Sequence, residues 1–146
     1  MTTIAAITGA DRADWLPLWH DYLVFYESAL APEVTDDVFA RIVADVDLHG
    51  AIARDEHGAA VGIVHWLLHA STWTTSTYCY LEDLFVTPGT RGSGVGRALI
   101  AHVRDRAAAA GAHKVYWLTQ ETNATARALY DRVATDTGFV HYEIAL

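Results

Sequence analysis

The sequence predicts a single α/β domain in which a mixed, mostly antiparallel sheet carries helices on both faces. Two observations lead to this prediction. The middle of the chain has the pattern of an antiparallel strand meander, and strands then alternate with helices toward the end. With 146 residues and 52% apolar content, the chain is long enough to bury one sizeable core. We therefore expect residues 1–146 to form one domain.

The first third of the chain predicts one short strand and two helices. A strand near Ile4 precedes an amphipathic helix over ADWLPLWHDYLVFYESAL, with Asp14 as its expected N-cap. The apolar residues at helical spacing in this segment are Trp15, Leu18, Trp19, Tyr22, Phe25, Tyr26 and Ala29. A second helix is expected to begin at Thr35 or Asp36. Its expected buried residues are Val38, Phe39, Ile42, Val43 and Val46.

Strands dominate the next segment. Residues 51–54 and 60–69 predict a hairpin around a turn at 55–58, and TYCYLEDLFV predicts a further strand. A glycine-rich loop follows, and then a helix that ends at Gly111. The apolar residues on one face of this helix are Val95, Leu99, Val103 and Ala107. KVYWL predicts a buried strand, Asn123 is the expected N-cap of a last helix, and TGFVHYEIAL predicts a closing strand over 137–146.

Charge restricts the classes of partner. The chain has 18 acidic and 10 basic residues, a net charge of −8, and Lys114 is its only lysine. Because phosphate backbones are bound by clustered cations, we expect no nucleic-acid partner. The negative charge either favours a cationic substrate or only keeps the surface soluble. The eight histidines lack the spacing typical of metal ligands, so no metal is expected.

The single cysteine and the apolar segments suggest a location. Cys79 cannot form an internal disulfide and is expected to be a buried, inert thiol. The first residues do not have the pattern of a signal peptide, and no apolar stretch approaches the length of a membrane span. We therefore expect a cytoplasmic protein without a membrane partner.

The segment FVTPGTRGSGVGRALI places four glycines between a strand and a helix. Such a loop exposes backbone N–H groups at the positive end of the helix, where they can bind phosphate oxygens. A dinucleotide fingerprint would need a third glycine where Arg97 stands, and no Gly-Lys-Ser/Thr follows, as a P-loop requires. The pattern alone leaves two alternatives, a loop that binds another phosphate and a turn that only begins the helix.

The loop sequence Arg91-Gly92-Ser93-Gly94-Val95-Gly96 resembles the acyl-CoA pyrophosphate loop of the GNAT superfamily of N-acetyltransferases. YLEDLFV before the loop, VYWLTQETNATARALY after it, and Tyr26-Glu27 are similar to the branch that contains the spermidine/spermine (diamine) acetyltransferases. The resemblance covers most of the chain from Ala10 onward. It implies the GNAT fold, acetyl-CoA as co-substrate, and a homodimer.

The resemblance also implies a reaction and its cofactor contacts. The acetyl group would pass to a primary amine by direct attack in a ternary complex, the amine being a polyamine, amino acid or other small amine rather than a protein lysine. The residues implied for acetyl-CoA are the main chain of Leu84, Phe85 and Val86, the loop Arg91, Gly92, Ser93, Gly94, Val95, Gly96 and Arg97, and, on the last helix, Asn123 and Ala126.

Catalytic and substrate residues follow from the same resemblance. Glu82 would contact the amine and act as a base through water, and the Tyr130 hydroxyl would protonate the leaving thiolate. Tyr26 and Glu27 would lie near the amine. The segment YDRVATDTGF has a longer spacer before its Gly-Phe pair than the family pattern, which affects the end of the last helix and the closing strand.

Each of these roles has a structural alternative. Glu82 can pair with a buried arginine or cap a loop, and Asp83 is expected to be structural. Tyr130 lies on an apolar stripe and can belong to the core. The aromatic residues that can either contact an amine by cation–π interaction or fill the core are Trp19, Tyr22 and Trp66. A different class of protein, a non-catalytic acyl-CoA-binding or regulatory module, would need neither Tyr130 nor Glu82.

Overall fold

A five-stranded sheet organises the first of two compact units, Met1–Tyr116 and Trp117–Leu146, in a computed structural model that describes residues 1–146. The strands follow chain order across the sheet: β1 (Thr3–Ala6), β2 (His49–Arg54), β3 (Ala60–Ala70), β4 (Thr77–Val86) and β5 (Val115–Tyr116). The first four strands pair antiparallel, and β5 pairs parallel with β4. The predicted mixed, mostly antiparallel sheet is confirmed.

Helix α1 (Arg12–Phe25) begins three residues earlier than Asp14 would place it, because Asp11 precedes the first turn. The Asp11 carboxylate accepts hydrogen bonds from the backbone N–H of Thr8 at 2.7 Å and from its hydroxyl at 2.9 Å. Of the predicted apolar stripe, the first part is buried, namely Trp15, Leu18 and Trp19. Its last part is exposed, namely Phe25, Tyr26 and Ala29.

Helix α2 (Pro32–Ala44) begins before the predicted Thr35 because Pro32 stands at its first turn, where a proline costs no helical hydrogen bond. Phe39 and Ile42 are buried as expected. Two other burial predictions are wrong: Val43 is 36% exposed, and Val46 lies beyond the end of the helix and is 80% exposed. The apolar face of α2 is thus narrower than its sequence suggested.

The core lies on both faces of the sheet. One face is covered by α1 and α2, and its cluster includes Trp15, Trp19, Phe39, Ile42, Ile52, Ile63 and Phe85. The other face is covered by α3 (Val95–Ala109), which buries the predicted stripe Val95, Leu99, Val103 and Ala107. Gly62 permits this close approach, because an added Cβ would lie 3.0 Å from the Leu99 side chain and from the Phe85 carbonyl oxygen.

The second unit contains α4 (Ala124–Val133), and Asn123 caps it as predicted. The strand predicted over KVYWL is shorter, since only Val115 and Tyr116 pair with β4. The closing strand predicted over 137–146 is wrong, because this segment has neither helix nor strand. Its alternating apolar side chains are exposed, and no neighbouring strand takes up its backbone hydrogen bonds. No helix of the chain combines the length and apolar character that crossing a membrane requires.

Candidate active site

A β-bulge in β4 explains why two carboxylates stand side by side in an apolar strand. His65 of β3 pairs with Asp83, whereas the next residue, Trp66, pairs with Leu81, so Glu82 has no partner across the ladder. A bulge reverses the alternation of side chains beyond it and re-aims the extra residue. Asp83 therefore faces His65 on the core side of the sheet, whereas the extra residue, Glu82, is exposed.

Asp83 belongs to a buried polar network that the sequence did not reveal. His65 Nδ1 lies 2.9 Å from Asp83 Oδ2, and His65 Nε2 accepts a hydrogen bond of 3.0 Å from the Trp15 indole. His65 is only 4% exposed, and Trp15 is fully buried. The expectation that Asp83 is structural is consistent with this network. The sequence could not identify His65 as the partner of Asp83, because their pairing depends on the shifted register.

Glu82 differs from Asp83 both in its exposure and in its partners. Its side chain is exposed and forms no ion pair with an arginine, lysine or histidine. Burial of part of the carboxyl raises the pKa of Glu82, and the negative charge of Asp83 raises it further. An unpaired carboxyl with a raised pKa is suited to accept a proton near neutral pH.

A cavity of about 160 Å³ opens beside both carboxylates. It is lined by Trp19, Leu30, Val38, Ile42, Leu48, His65, Trp66, Glu82 and Asp83. Of the three aromatic residues considered for the amine site, Trp19 and Trp66 line the cavity while also being buried in the core. Tyr22 does not line it but stacks on Trp19 with ring centroids 5.6 Å apart.

Tyr26 and Glu27 end α1 in a turn with a strained residue. The N–H of Glu27 donates to the Val24 carbonyl, and the N–H of Ser28 donates to the Leu23 carbonyl, both at 2.9 Å. Glu27 has φ of 53°, a position that glycine usually occupies and that costs other residues about 1–2 kcal/mol. Neither Tyr26 nor Glu27 lines the cavity, although burial and the charge of Asp83 raise the pKa of Tyr26.

The edge of β4 is open beyond the bulge. β4 and β5 pair only at Cys79 with Val115 and at Tyr80 with Tyr116. The three residues implied for the acyl-CoA arm, Leu84, Phe85 and Val86, pair with β3 on their other side. Their backbone groups on the β5 side therefore have no strand partner and can bind an extended ligand.

The glycine loop leaves the N-terminus of α3 available for an anion. Gly92 and Gly94 have φ of 85° and 89°, and nothing lies within 4 Å of a Cβ added at either residue. No side chain caps α3, and Ala98 is the first residue to donate back, to the Gly94 carbonyl at 3.0 Å. The N–H groups of Val95, Gly96 and Arg97 precede that bond, so they can hold phosphate oxygens.

The two loop arginines have different environments. Arg91 Nε donates to the Val86 carbonyl at 3.2 Å, and its guanidinium lies about 6 Å from the rings of Phe25 and Phe85. Arg97 is exposed on the first turn of α3 and has no ion pair. Both side chains add positive charge around the loop.

Tyr130 and Asn123 lie in the second unit. Asn123 Oδ1 accepts from the Ala126 backbone N–H at 3.4 Å, so this side chain caps α4. Tyr130 is half-buried, and its ring meets the ring of Trp117 edge-on with centroids 5.4 Å apart. Ala126 lies one turn before Tyr130 on the same helix.

Comparison with known proteins agrees with this geometry. A model of the acetyltransferase (GNAT) family matches residues 13–134. The chain is 40% identical over 142 residues to the D-amino-acid N-acetyltransferase HPA3 of Saccharomyces cerevisiae, covering 96% of this chain and 88% of that protein. It is 25% identical over 131 residues to a thialysine N-epsilon-acetyltransferase of Caenorhabditis elegans, covering 89% and 80%.

A solved structure shows the same fold. The aminoglycoside acetyltransferase AAC(6')-Iy, in complex with the bisubstrate analog CoA-S-monomethyl-acetylneamine, superposes with a TM-score of 0.87 at 19% identity. The match covers 100% of this chain and 99% of that one. The family match and the 40% identical relative confirm the resemblance found in the sequence. The chain belongs to the GNAT family of N-acetyltransferases.

Proposed function

We propose that this protein transfers the acetyl group of acetyl-CoA to a small primary amine by direct attack in a ternary complex. The observation that supports this most strongly is Glu82. Its carboxyl stands unpaired on a bulge, with a raised pKa, between a cavity and the open edge of β4. A base beside a substrate-sized space is what removal of a proton from an ammonium ion requires.

Each chemical task has a candidate group. Acetyl-CoA supplies the activated acetyl thioester. Glu82 takes a proton from the ammonium through a water molecule, so that the neutral amine can attack. A backbone N–H among residues 84–86 stabilises negative charge on the acetyl oxygen, and the Tyr130 hydroxyl donates a proton to the departing thiolate. The nitrogen loses its remaining extra proton to solvent as the amide forms, and Tyr130 is reprotonated from solvent. No acyl-enzyme is needed, and Cys79 is unsuited to form one, because burial raises its pKa to about 11.

The glycine loop is suited to the cofactor's pyrophosphate. A side chain at Gly92 or Gly94 would occupy the space in front of the loop, and both residues have left-handed backbone angles. The uncapped N-terminus of α3 supplies N–H donors and a positive dipole end, and Arg91 and Arg97 add charge. On the last helix, Asn123 and Ala126 would contact the remainder of the CoA arm.

We also propose that residues 1–146 function as one domain and that two copies form a homodimer in the cytoplasm. The exposed apolar side chains of Val140, Tyr142 and Ile144 alternate along a segment without a strand partner. Such a segment buries its apolar face by adding to the sheet of a second copy. Sedimentation of the purified chain, with and without residues 137–146, tests this: the full chain should sediment as a dimer and the truncated chain as a monomer.

The function itself is tested by amine-dependent thiol release from acetyl-CoA. The purified protein is assayed with a panel of monoamines, diamines, amino acids and aminoglycosides, and acetyl-CoA binding is measured separately by calorimetry. Glu82→Gln should abolish amine-dependent release and retain acetyl-CoA binding, whereas the exposed control Glu33→Gln should leave both unchanged. If acetyl-CoA binds but no amine stimulates release, the chain is a non-catalytic acyl-CoA-binding module.

A further inference from the structure

The cavity beside Glu82 has an uneven distribution of charge. Glu82 and Asp83 are its only charged lining residues. The other lining residues are apolar or aromatic apart from His65, namely Trp19, Leu30, Val38, Ile42, Leu48 and Trp66. An ammonium ion is therefore favoured at the carboxylate end, and a hydrocarbon group is favoured elsewhere.

His65 does not change this distribution. Its Nε2 accepts from the Trp15 indole and its Nδ1 faces Asp83, so both ring nitrogens are already engaged within the core. Neither an arginine nor a lysine lines the cavity. A second ammonium group placed among Leu30, Val38 and Leu48 would lose part of its water without gaining a carboxylate, which is unfavourable.

The size of the cavity limits the hydrocarbon group. An apolar cavity of about 150 Å³ is large enough to bind benzene, and the cavity here measures about 160 Å³. A phenyl ring or a branched chain of similar volume fits this space. An extended polyamine would fill it with a chain whose far ammonium finds no partner there.

We infer that the acceptor is a primary amine whose substituent is a compact hydrocarbon group, bound in this cavity with its ammonium at Glu82 and Asp83. The inference rests on the proposed acetyl transfer and narrows its substrate class. It excludes the polyamines, which the resemblance to the diamine acetyltransferases includes among the acceptors. An α-amino acid with a hydrocarbon side chain presents the same ammonium and hydrocarbon groups, but its α-carboxylate must remain in solvent, because neither an arginine nor a lysine lines the cavity.

Matched acceptors test the inference. We expect kcat/KM for 3-methylbutylamine to exceed that for 1,4-diaminobutane by at least about tenfold, since each buried methylene contributes roughly a fourfold gain in binding and the second ammonium is not compensated. D-leucine and D-lysine form the corresponding amino-acid pair. The pair with the larger kcat/KM shows whether the acceptor is a simple amine or an amino acid. Within each pair, the hydrocarbon member should be preferred. Equal or greater activity with 1,4-diaminobutane and D-lysine would overturn the inference.

A charge added to the cavity wall provides an independent measurement. Leu30 lines the cavity but is 41% exposed, so Leu30→Asp should fold, and its carboxylate should reduce the preference for 3-methylbutylamine over the diamine by about fivefold or more, a change of about one kcal/mol. Val34 is similarly exposed, at 44%, and does not line the cavity. Val34→Asp should therefore leave the preference unchanged. Equal effects of the two substitutions would contradict the placement of the substituent.

The outcomes for the two proposals can be separated. If no amine is acetylated by a protein that binds acetyl-CoA, the proposed function fails. If amines are acetylated but the dicationic members are preferred, acetyl transfer stands and only the inferred substrate class is wrong.

Discussion

The Trp15 indole donates a hydrogen bond of 3.0 Å to Nε2 of His65, and this contact determines where the imidazole carries its proton. An indole N–H can only donate, so Nε2 must accept. The proton of His65 therefore lies on Nδ1 and is donated to Asp83 at 2.9 Å. In this way Trp15 of α1, acting through His65, holds the carboxylate of Asp83 in position next to the candidate base, Glu82.

We predict that the nitrogen resonances of His65 show the Nδ1-protonated tautomer, and that Trp15→Phe changes them. The substitution leaves a buried Nε2 without its donor, so the free energy of unfolding should fall by about 1–3 kcal/mol. Both effects are measured on one sample series, by nitrogen-detected NMR and by urea denaturation. Trp73→Phe is the matched control, because Trp73 is on the surface. The tautomer itself should persist in Trp15→Phe, because Asp83 still accepts from Nδ1. An Nε2-protonated tautomer in the unchanged protein would contradict the assignment.

A second prediction concerns the pH dependence of Glu82. Burial and the charge of Asp83 both raise its pKa, so the acidic limb of kcat/KM should lie above the range of an ordinary glutamate. Asp83→Asn removes the neighbouring charge and keeps an oxygen that can accept from His65. The Glu82 pKa should then fall, and the acidic limb should move to lower pH. An acidic limb that stays in place, or moves to higher pH, would show that Glu82 is not the titrating base.

The bulge marks the limit of what could be predicted here from the sequence. The spacing of Trp15, Trp19, Leu99 and Val103 was sufficient to predict two helices and their buried faces. The two carboxylates in β4 were recognised as unusual, but their different roles depend on a one-residue shift in pairing with β3. Register arises from contacts between distant parts of the chain, so the residues of a single strand do not determine it.

At the end of the chain, the sequence pattern predicted a strand that the structure lacks. Residues 137–146 alternate apolar and polar side chains, a pattern typical of a strand, yet they form none. Alternation identifies which side chains would share a face, whereas a strand also needs a neighbour for its backbone groups. The resemblance to the GNAT family indicated candidate site residues that periodicity alone would have assigned to the core, and Tyr130 is one of them.

A third prediction uses two glycines with the same left-handed backbone conformation. Gly94 of the loop and Gly58 of the β2–β3 turn have φ of 89° and 84°, and both face open space. Replacement of either glycine by alanine should lower the free energy of unfolding by about 1–2 kcal/mol. Only Gly94→Ala should also raise KM for acetyl-CoA, by about tenfold, because only this residue directs N–H donors at the start of α3. Equal KM values for the two variants would mean that the loop does not hold the pyrophosphate.

A fourth prediction concerns Cys79, the only thiol of the chain. Its side chain is fully buried, and burial raises its pKa to about 11. We expect iodoacetamide at pH 7.5 to leave the folded protein unmodified, as measured by mass spectrometry. Cys79→Ala should lower the unfolding free energy by about 1 kcal/mol and change kcat by less than about twofold. Loss of activity on alkylation, or in Cys79→Ala, would instead favour an acyl-cysteine route.

The last prediction assigns the proton donor. Tyr130→Phe keeps the ring that meets Trp117 edge-on and removes only the hydroxyl. If that hydroxyl protonates the leaving thiolate, kcat should fall by about 10²-fold, while the affinity for acetyl-CoA should stay within a few-fold of the unchanged protein. The alkaline limb of kcat should also change, because deprotonation of Tyr130 would no longer limit the rate. Tyr142→Phe is the control in the same unit, because Tyr142 is on the surface and lies outside α4. Steady-state thiol release across pH distinguishes the roles: a variant with unchanged kcat and an unchanged alkaline limb would place Tyr130 among the packing residues of the second unit.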